Sequence, residues 1–304
     1  MVGQSEWSDY FPDCGGTAQS PVDVITTQTK YDPSLSPVTP LGYSQHGNQP
    51  FTLYNNGHTV VTELPQWMGL GGLPWLFTAV QMHLHWGNGG PNHGGSEHTI
   101  NGQSTEAEPS LQLHVVHYNS ELYPNMSAAM TQKDGLAVLG IFIVTGEETN
   151  PAFDNILNYL SRVRHAQKAF IPAFDVQSLL PKDLGRYYRY NGSLTTPPCH
   201  QGVIWTLFHE RVQISKAQLL KLETILYSSK AEEKDRMLLQ DNYRMTQPLN
   251  HRVMFTSFSA EVTAIVIGVM CGCVGLAVII RFIVKTISTS SWDVLHNNRP
   301  TPMP

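Results

Sequence analysis

The chain has 304 residues, 41% of them hydrophobic and only 14% charged, with a formal net charge of -5. That length suits one large domain with a well-buried core, or two ordinary ones. There is no basic surplus and no run of Lys and Arg, which excludes nucleic acid as an expected partner.

In chain order, the first ten residues, MVGQSEWSDY, contain no apolar stretch of the kind a secretory signal carries. From about residue 7 to 258 no linker, charge block or repeat marks a boundary, and Gly and Pro are scattered throughout. Short β-rich runs dominate, at 79–86, 111–118 and 137–144. Helical spacing of apolar residues is confined to 155–166 and 215–227. These elements predict one large, mostly β catalytic-size domain over 7–258 with a few peripheral helices. The charged cluster at 232–235 reads as a solvated loop. Asn125-Met126-Ser127 and Asn191-Gly192-Ser193 are acceptor sequences for N-glycosylation, which suits an exported domain.

Residues 262–280 carry no charge, about the length a helix needs to cross a bilayer's hydrocarbon core. Arg281 and Lys285 follow, and positive residues favour the cytoplasmic side. The expectation is a transmembrane helix over 262–284 in a lipid bilayer and a short polar tail over 285–304 inside the cell. That makes a single-pass type I protein of the plasma membrane with its large domain outside. Of four cysteines, Cys271 and Cys273 fall in the span, leaving Cys14 and Cys199. The count permits one bridge in an extracellular domain or two unrelated buried thiols.

Histidine carries the chemistry. In Gln81-Met82-His83-Leu84-His85-Trp86 the two histidines alternate, so on a strand they share a face. A second β run, Leu111-Gln112-Leu113-His114-Val115-Val116-His117, brings another imidazole to one face. If the strands are neighbours, three imidazoles converge, and three protein ligands with an open fourth position describe a catalytic zinc. A bare His-x-His pair is by itself weak support.

The residues resemble a known family. His83-Leu84-His85-Trp86-Gly87, Ser96-Glu97-His98-Thr99, Leu113-His114 and Ser193-Leu194-Thr195-Thr196-Pro197-Pro198 follow the order and approximate spacing of the alpha-class carbonic anhydrases. Gln19-Ser20-Pro21-Val22-Asp23, Asn55-Asn56-Gly57-His58, Asn242-Tyr243-Arg244 and Gln247-Pro248-Leu249 add to the match, which runs from about residue 7 to 258 and is most similar to the membrane-spanning members.

That resemblance implies a central, largely antiparallel twisted sheet and a zinc lyase interconverting carbon dioxide with bicarbonate and a proton. His83, His85 and His114 match the Zn2+ ligands; neutral imidazoles leave the ion its full charge, so water is activated near neutral pH. Thr195 matches the residue that relays a hydrogen bond from the reacting oxygen to a buried carboxylate, here Glu97. Gln81, Gln112 and Asn242 match outer partners of the ligands. Val116, Val138, Leu194, Thr196, Val203 and Trp205 match the substrate-holding wall, and His58 the proton shuttle, since imidazole titrates in the needed range. Cys14 and Cys199 match the disulfide of exported members, and sulfonamide-type inhibitors are expected. A cell-surface binding or adhesion protein on the same scaffold is the rival, but such members lack ligand histidines, and all three are present here.

Two departures stand out. The family continues upstream of Trp7 with an aromatic-rich segment not found in this sequence. The position two before His114 is usually a glutamate bonded to that ligand, and here it is Gln112. The expectation is that the Gln112 amide oxygen still accepts from His114 while the lost charge weakens zinc binding.

Overall fold

A computed structural model describes residues 3–45, 47–90, 94–102 and 111–259. The span and tail expected at 262–304 lie outside the described residues. No helix among the described residues is long and apolar enough to cross a membrane.

The β-rich runs become the middle of a sheet of thirteen strands among the described residues. The strands that matter here are β1 (Val60–Glu63), β2 (Phe77–Trp86), β3 (Leu111–Asn119), β4 (Leu136–Gly146), β5 (Tyr187–Ser193) and β6 (Gln201–Phe208). Their order across the sheet is β1-β2-β3-β4-β6-β5, with Phe51–Asn55 outside β1 and Phe255–Thr256 outside β5. Most pairs are antiparallel, but β4 runs parallel to β6 and to Val212–Ser215. The mostly β expectation holds.

Alternation divides the central strands by face. On β3, Leu111, Leu113 and Val115 join the hydrophobic core, together with Met82, Leu84 and Trp86 of β2 and Leu139, Ile141 and Ile143 of β4. The intervening residues, Gln112, His114 and Val116, occupy the other face. Two helices contribute to the same core. Helix α1 (Pro151–Leu157) begins at Asn150, whose side chain accepts from Ala152 N–H, with Pro151 preset for the first turn. Helix α2 (Lys216–Ile225) is closed by a Ser215/Gln218 capping box. They bury Phe153, Ile156, Leu157 and Leu222 against the sheet's apolar side.

The second predicted helix agrees with α2 within its ends. The first, placed at 155–166, is a correction: α1 starts earlier and stops at Leu157, and Leu160–Val163 is a separate 3₁₀ turn. The Asn-Pro start signal outranks the apolar spacing downstream, because it satisfies a free N–H and fixes φ at no cost.

Candidate metal centre

The register of β2 on β3 builds the site. His83 pairs with His114 and His85 with Gln112, so the three histidines stand on one face of adjacent strands. Their possible ligand atoms all lie within 4.8 Å of one another. Ring centroids are 4.9 Å apart for His83 and His85, 5.2 Å for His83 and His114, and 4.6 Å for His85 and His114.

Two rings are oriented by acceptors. His83 Nδ1 donates to Gln81 Oε1 at 2.9 Å and His85 Nδ1 to the Asn242 carbonyl at 2.7 Å, leaving each Nε2 as the electron-pair donor. His85 Nε2 is buried with no hydrogen-bond partner. Burial holds His83 and His114 well below the ordinary imidazole pKa, reinforced by the neighbouring histidines. His83 and His114 are therefore offered as neutral donors, and an orphaned, sealed nitrogen in such a cluster fits a zinc ion.

Asn242 is the junction of this corner. Besides its carbonyl bond to His85, its Oδ1 accepts from Trp86 N–H at 2.8 Å, and its Nδ2 donates to the His58 and Leu84 carbonyls at 2.9 and 3.1 Å. His58 is exposed on the turn before β1, where Asn56 Oδ1 accepts from His58 N–H and Thr59 N–H.

Glu97 lies beneath the histidines, 1% exposed. Its Oε1 accepts from Arg244 N–H at 2.9 Å and lies 3.5 Å from His85 Nδ1; its Oε2 lies 3.8 Å from His114 Nδ1 and has no hydrogen-bond partner. Burial raises its pKa, opposed by His85, by the Arg244 N–H and by the Thr195 hydroxyl. Thr195 itself sits in a loop closed by bonds from Leu194 N–H to the His200 carbonyl and from Cys199 N–H to the Thr196 carbonyl. The Cys14–Cys199 disulfide, with Cα atoms 4.9 Å apart, fastens that loop to the chain's start.

The apolar wall is laid across three strands. Val116 pairs with Val138, and Val138 with Trp205, while Val203 pairs with Leu136. Val116, Val138, Val203 and Trp205 are buried; Leu194 is half-buried and Thr196 exposed. The Trp205 ring stands 4.8 Å from His114. Asn125 and Asn191 are both exposed, the first as the cap of a short helix and the second on β5. A separate cavity of about 400 Å³, bordered by Gln49, Glu63 and Trp67, shares no residue with this centre.

One expectation is corrected. The Gln112 amide oxygen does not accept from His114. It accepts from His98 N–H at 3.0 Å and from His98 Nδ1 at 3.2 Å. Gln112 Nε2 and His114 Nε2 are both buried without partners. An unmade bond of this kind costs about 1–3 kcal/mol.

His98, Tyr190, Ser20 and Arg244 had no assigned role in the sequence reading, yet they hold the site's floor. Tyr190 Oη lies 2.7 Å from His98 Nε2 and 2.8 Å from Ser20 Oγ. Arg244 Nη1 donates to Gln19 Oε1 and the Ser20 carbonyl, both at 2.8 Å, and Nη2 to the Cys14 carbonyl at 3.1 Å. Ser20, His98 and Arg244 fell inside recognised motifs; their partners, 92 to 225 residues away, had no local signal.

The model of the eukaryotic-type carbonic anhydrase family matches residues 2–258. The chain is 46% identical to carbonic anhydrase 12 of Homo sapiens over 258 residues, covering 84% of this chain and 71% of that protein. It is 37% identical to human carbonic anhydrase 6 over 260 residues, 84% of this chain and 81% of the relative. With human carbonic anhydrase 7 the figures are 36% over 264 residues, 85% and 95%. Together with a histidine triad that fits zinc on a mostly β scaffold, these matches place the chain in the eukaryotic-type carbonic anhydrase family.

Proposed function

We propose that this carbonic anhydrase interconverts carbon dioxide with bicarbonate and a proton at the cell surface, using zinc held by His83, His85 and His114. The observation that carries the reading is three imidazoles with ligand atoms within 4.8 Å, two of them already turned by acceptors on their far nitrogens. Zinc in that position supplies Lewis acidity that makes water a nucleophile near neutral pH, the chemistry for which carbonic anhydrase is the standard case. Thr195, braced by Glu97, orients the reacting oxygen. Val116, Val138, Leu194, Val203 and Trp205 exclude water from one side and seat an apolar substrate, with Thr196 at the rim. His58, exposed and joined through Asn242 to the strand that carries His85, passes the released proton to buffer.

Metal analysis and stopped-flow carbon dioxide hydration on the full chain test this. The expected result is one zinc per chain and hydration that a sulfonamide blocks, with both lost in His83→Ala. A protein without zinc or hydration would leave only a binding or adhesion role.

The surface location rests on separate observations. The disulfide needs an oxidising compartment, both glycosylation acceptors are exposed, and 262–280 is uncharged before Arg281 and Lys285. In this reading a domain over 7–258 faces outward, 262–284 anchors it in the bilayer and 285–304 is the cytoplasmic tail. External protease on sealed cells should digest the domain; a protected domain would defeat the assignment.

A further inference from the structure

Gln112 stands where the metal centre needs an acceptor, and its only acceptor is committed elsewhere. The commitment can be followed bond by bond. Ser193 N–H donates to Ser20 Oγ at 3.0 Å, Ser20 Oγ lies 2.8 Å from Tyr190 Oη, and Tyr190 Oη lies 2.7 Å from His98 Nε2. With Ser20 donating to Tyr190 and Tyr190 to His98 Nε2, the His98 proton falls on Nδ1, which donates to Gln112 Oε1 at 3.2 Å. The His98 backbone N–H donates to the same oxygen at 3.0 Å. A backbone N–H can only donate, so turning the amide over would set N–H₂ against N–H. The orientation of Gln112 is locked.

What remains is an amide N–H₂ on the face of β3 that carries His114, two residues on. Both Gln112 Nε2 and His114 Nε2 are buried and without partners. A ligating histidine carries its proton on the far nitrogen and gives it to an acceptor. His83 and His85 each have one; among the described residues His114 has none on either nitrogen, its Nε2 being buried without a partner and its Nδ1 lying 3.8 Å from Glu97 Oε2, beyond hydrogen-bond length. A carboxylate at this position would supply one oxygen to His98 and the other to His114. The amide has a single oxygen for two donors.

Resting on the zinc reading above, we propose that Gln112 makes His114 the weak arm of the centre: its oxygen is taken by His98 and its N–H₂ offers no acceptor, so nothing fixes the His114 tautomer that zinc needs, and the metal binds loosely and exchanges quickly. The chain then carries zinc in proportion to what its surroundings supply. The missing element is an acceptor, not only a charge.

The test compares the natural full chain with Gln112→Glu and Gln112→Met by zinc competition against a chelator at fixed pH, and by ¹⁵N-histidine NMR of the metal-free forms. Gln112→Glu should hold zinc about 10–100-fold more tightly and release it more slowly. His114 should be a mixture of tautomers in the natural protein and a single tautomer in that variant. Gln112→Met, which removes the amide and adds no charge, should bind zinc at least as tightly as the natural protein. Equal affinities and release rates for the natural and Glu forms, weaker binding by the Met form, or a single His114 tautomer already in the natural protein would each overturn the proposal. If no form takes up zinc, the metal reading itself fails, and the tautomer comparison still decides what Gln112 does.

Discussion

At the residue scale, function here depends on which nitrogen each imidazole presents. His83 and His85 are turned by a side chain two residues away and by a carbonyl 157 residues away, respectively. The first partner was legible, since Gln81 and His83 share a strand face; the second was visible only as part of a motif. His58 differs from the three clustered histidines in being exposed, where the proposed function makes it the proton relay. His58→Ala should therefore slow hydration on the order of 100-fold in dilute buffer and recover when a small imidazole buffer replaces the relay. Zinc content should not change. A variant as active as the natural protein in dilute buffer would remove His58 from the proton path.

At the element scale, β3 carries two unrelated tasks on its two faces. His114 faces the metal centre, whereas His117, an odd number of positions on, points the other way. There Tyr43 Oη is its Nε2 partner and the Ala137 carbonyl takes its Nδ1–H at 3.0 Å. Burial lowers the His117 pKa to about 4 from 6.5, so the folded protein keeps it neutral while the unfolded chain protonates it below 6.5. Between those values the unfolded state binds more protons, so stability is complete above pH 6.5 and falls as pH drops toward 4. The loss reaches about 3 kcal/mol, at roughly 1.4 kcal/mol per pKa unit. Urea unfolding across this range should show that slope in the natural protein and a flatter one in His117→Gln. Identical slopes would show that His117 does not govern the acid limb.

For the whole molecule, the chain's first thirty residues are tied to Cys199 and Arg244, far along the sequence. The Cys14–Cys199 bridge spans 185 residues, and Arg244 joins the Cys14 and Ser20 carbonyls to the segment holding Glu97. Closing so long a loop restricts the unfolded chain, so Cys14→Ser should cost about 2–5 kcal/mol, read as a lower urea midpoint. Because Cys199 sits in the Thr195 loop, hydration should fall more than zinc affinity does. An unchanged midpoint would mean that the Arg244 contacts alone hold the terminus.

Alternation and motif order were enough to expect a mostly β domain, the histidine triad and the half-cystine pair. Those features repeat at short range, or depend on residue types that chemistry permits few others to replace. Helix 155–166 was misplaced because periodicity marks an apolar face better than it marks an end. The direction of the hydrogen bond at Gln112 could not be read from sequence at all. The family resemblance suggested that Gln112 pairs with His114; but a backbone N–H at His98, brought in by a separate segment and backed by Tyr190 and Ser20, claims the amide oxygen. Sequence determined which groups are present and which face each takes on its strand. The tertiary structure decided which donor reaches each acceptor first, because a buried acceptor has few lone pairs and its contenders come from distant parts of the chain.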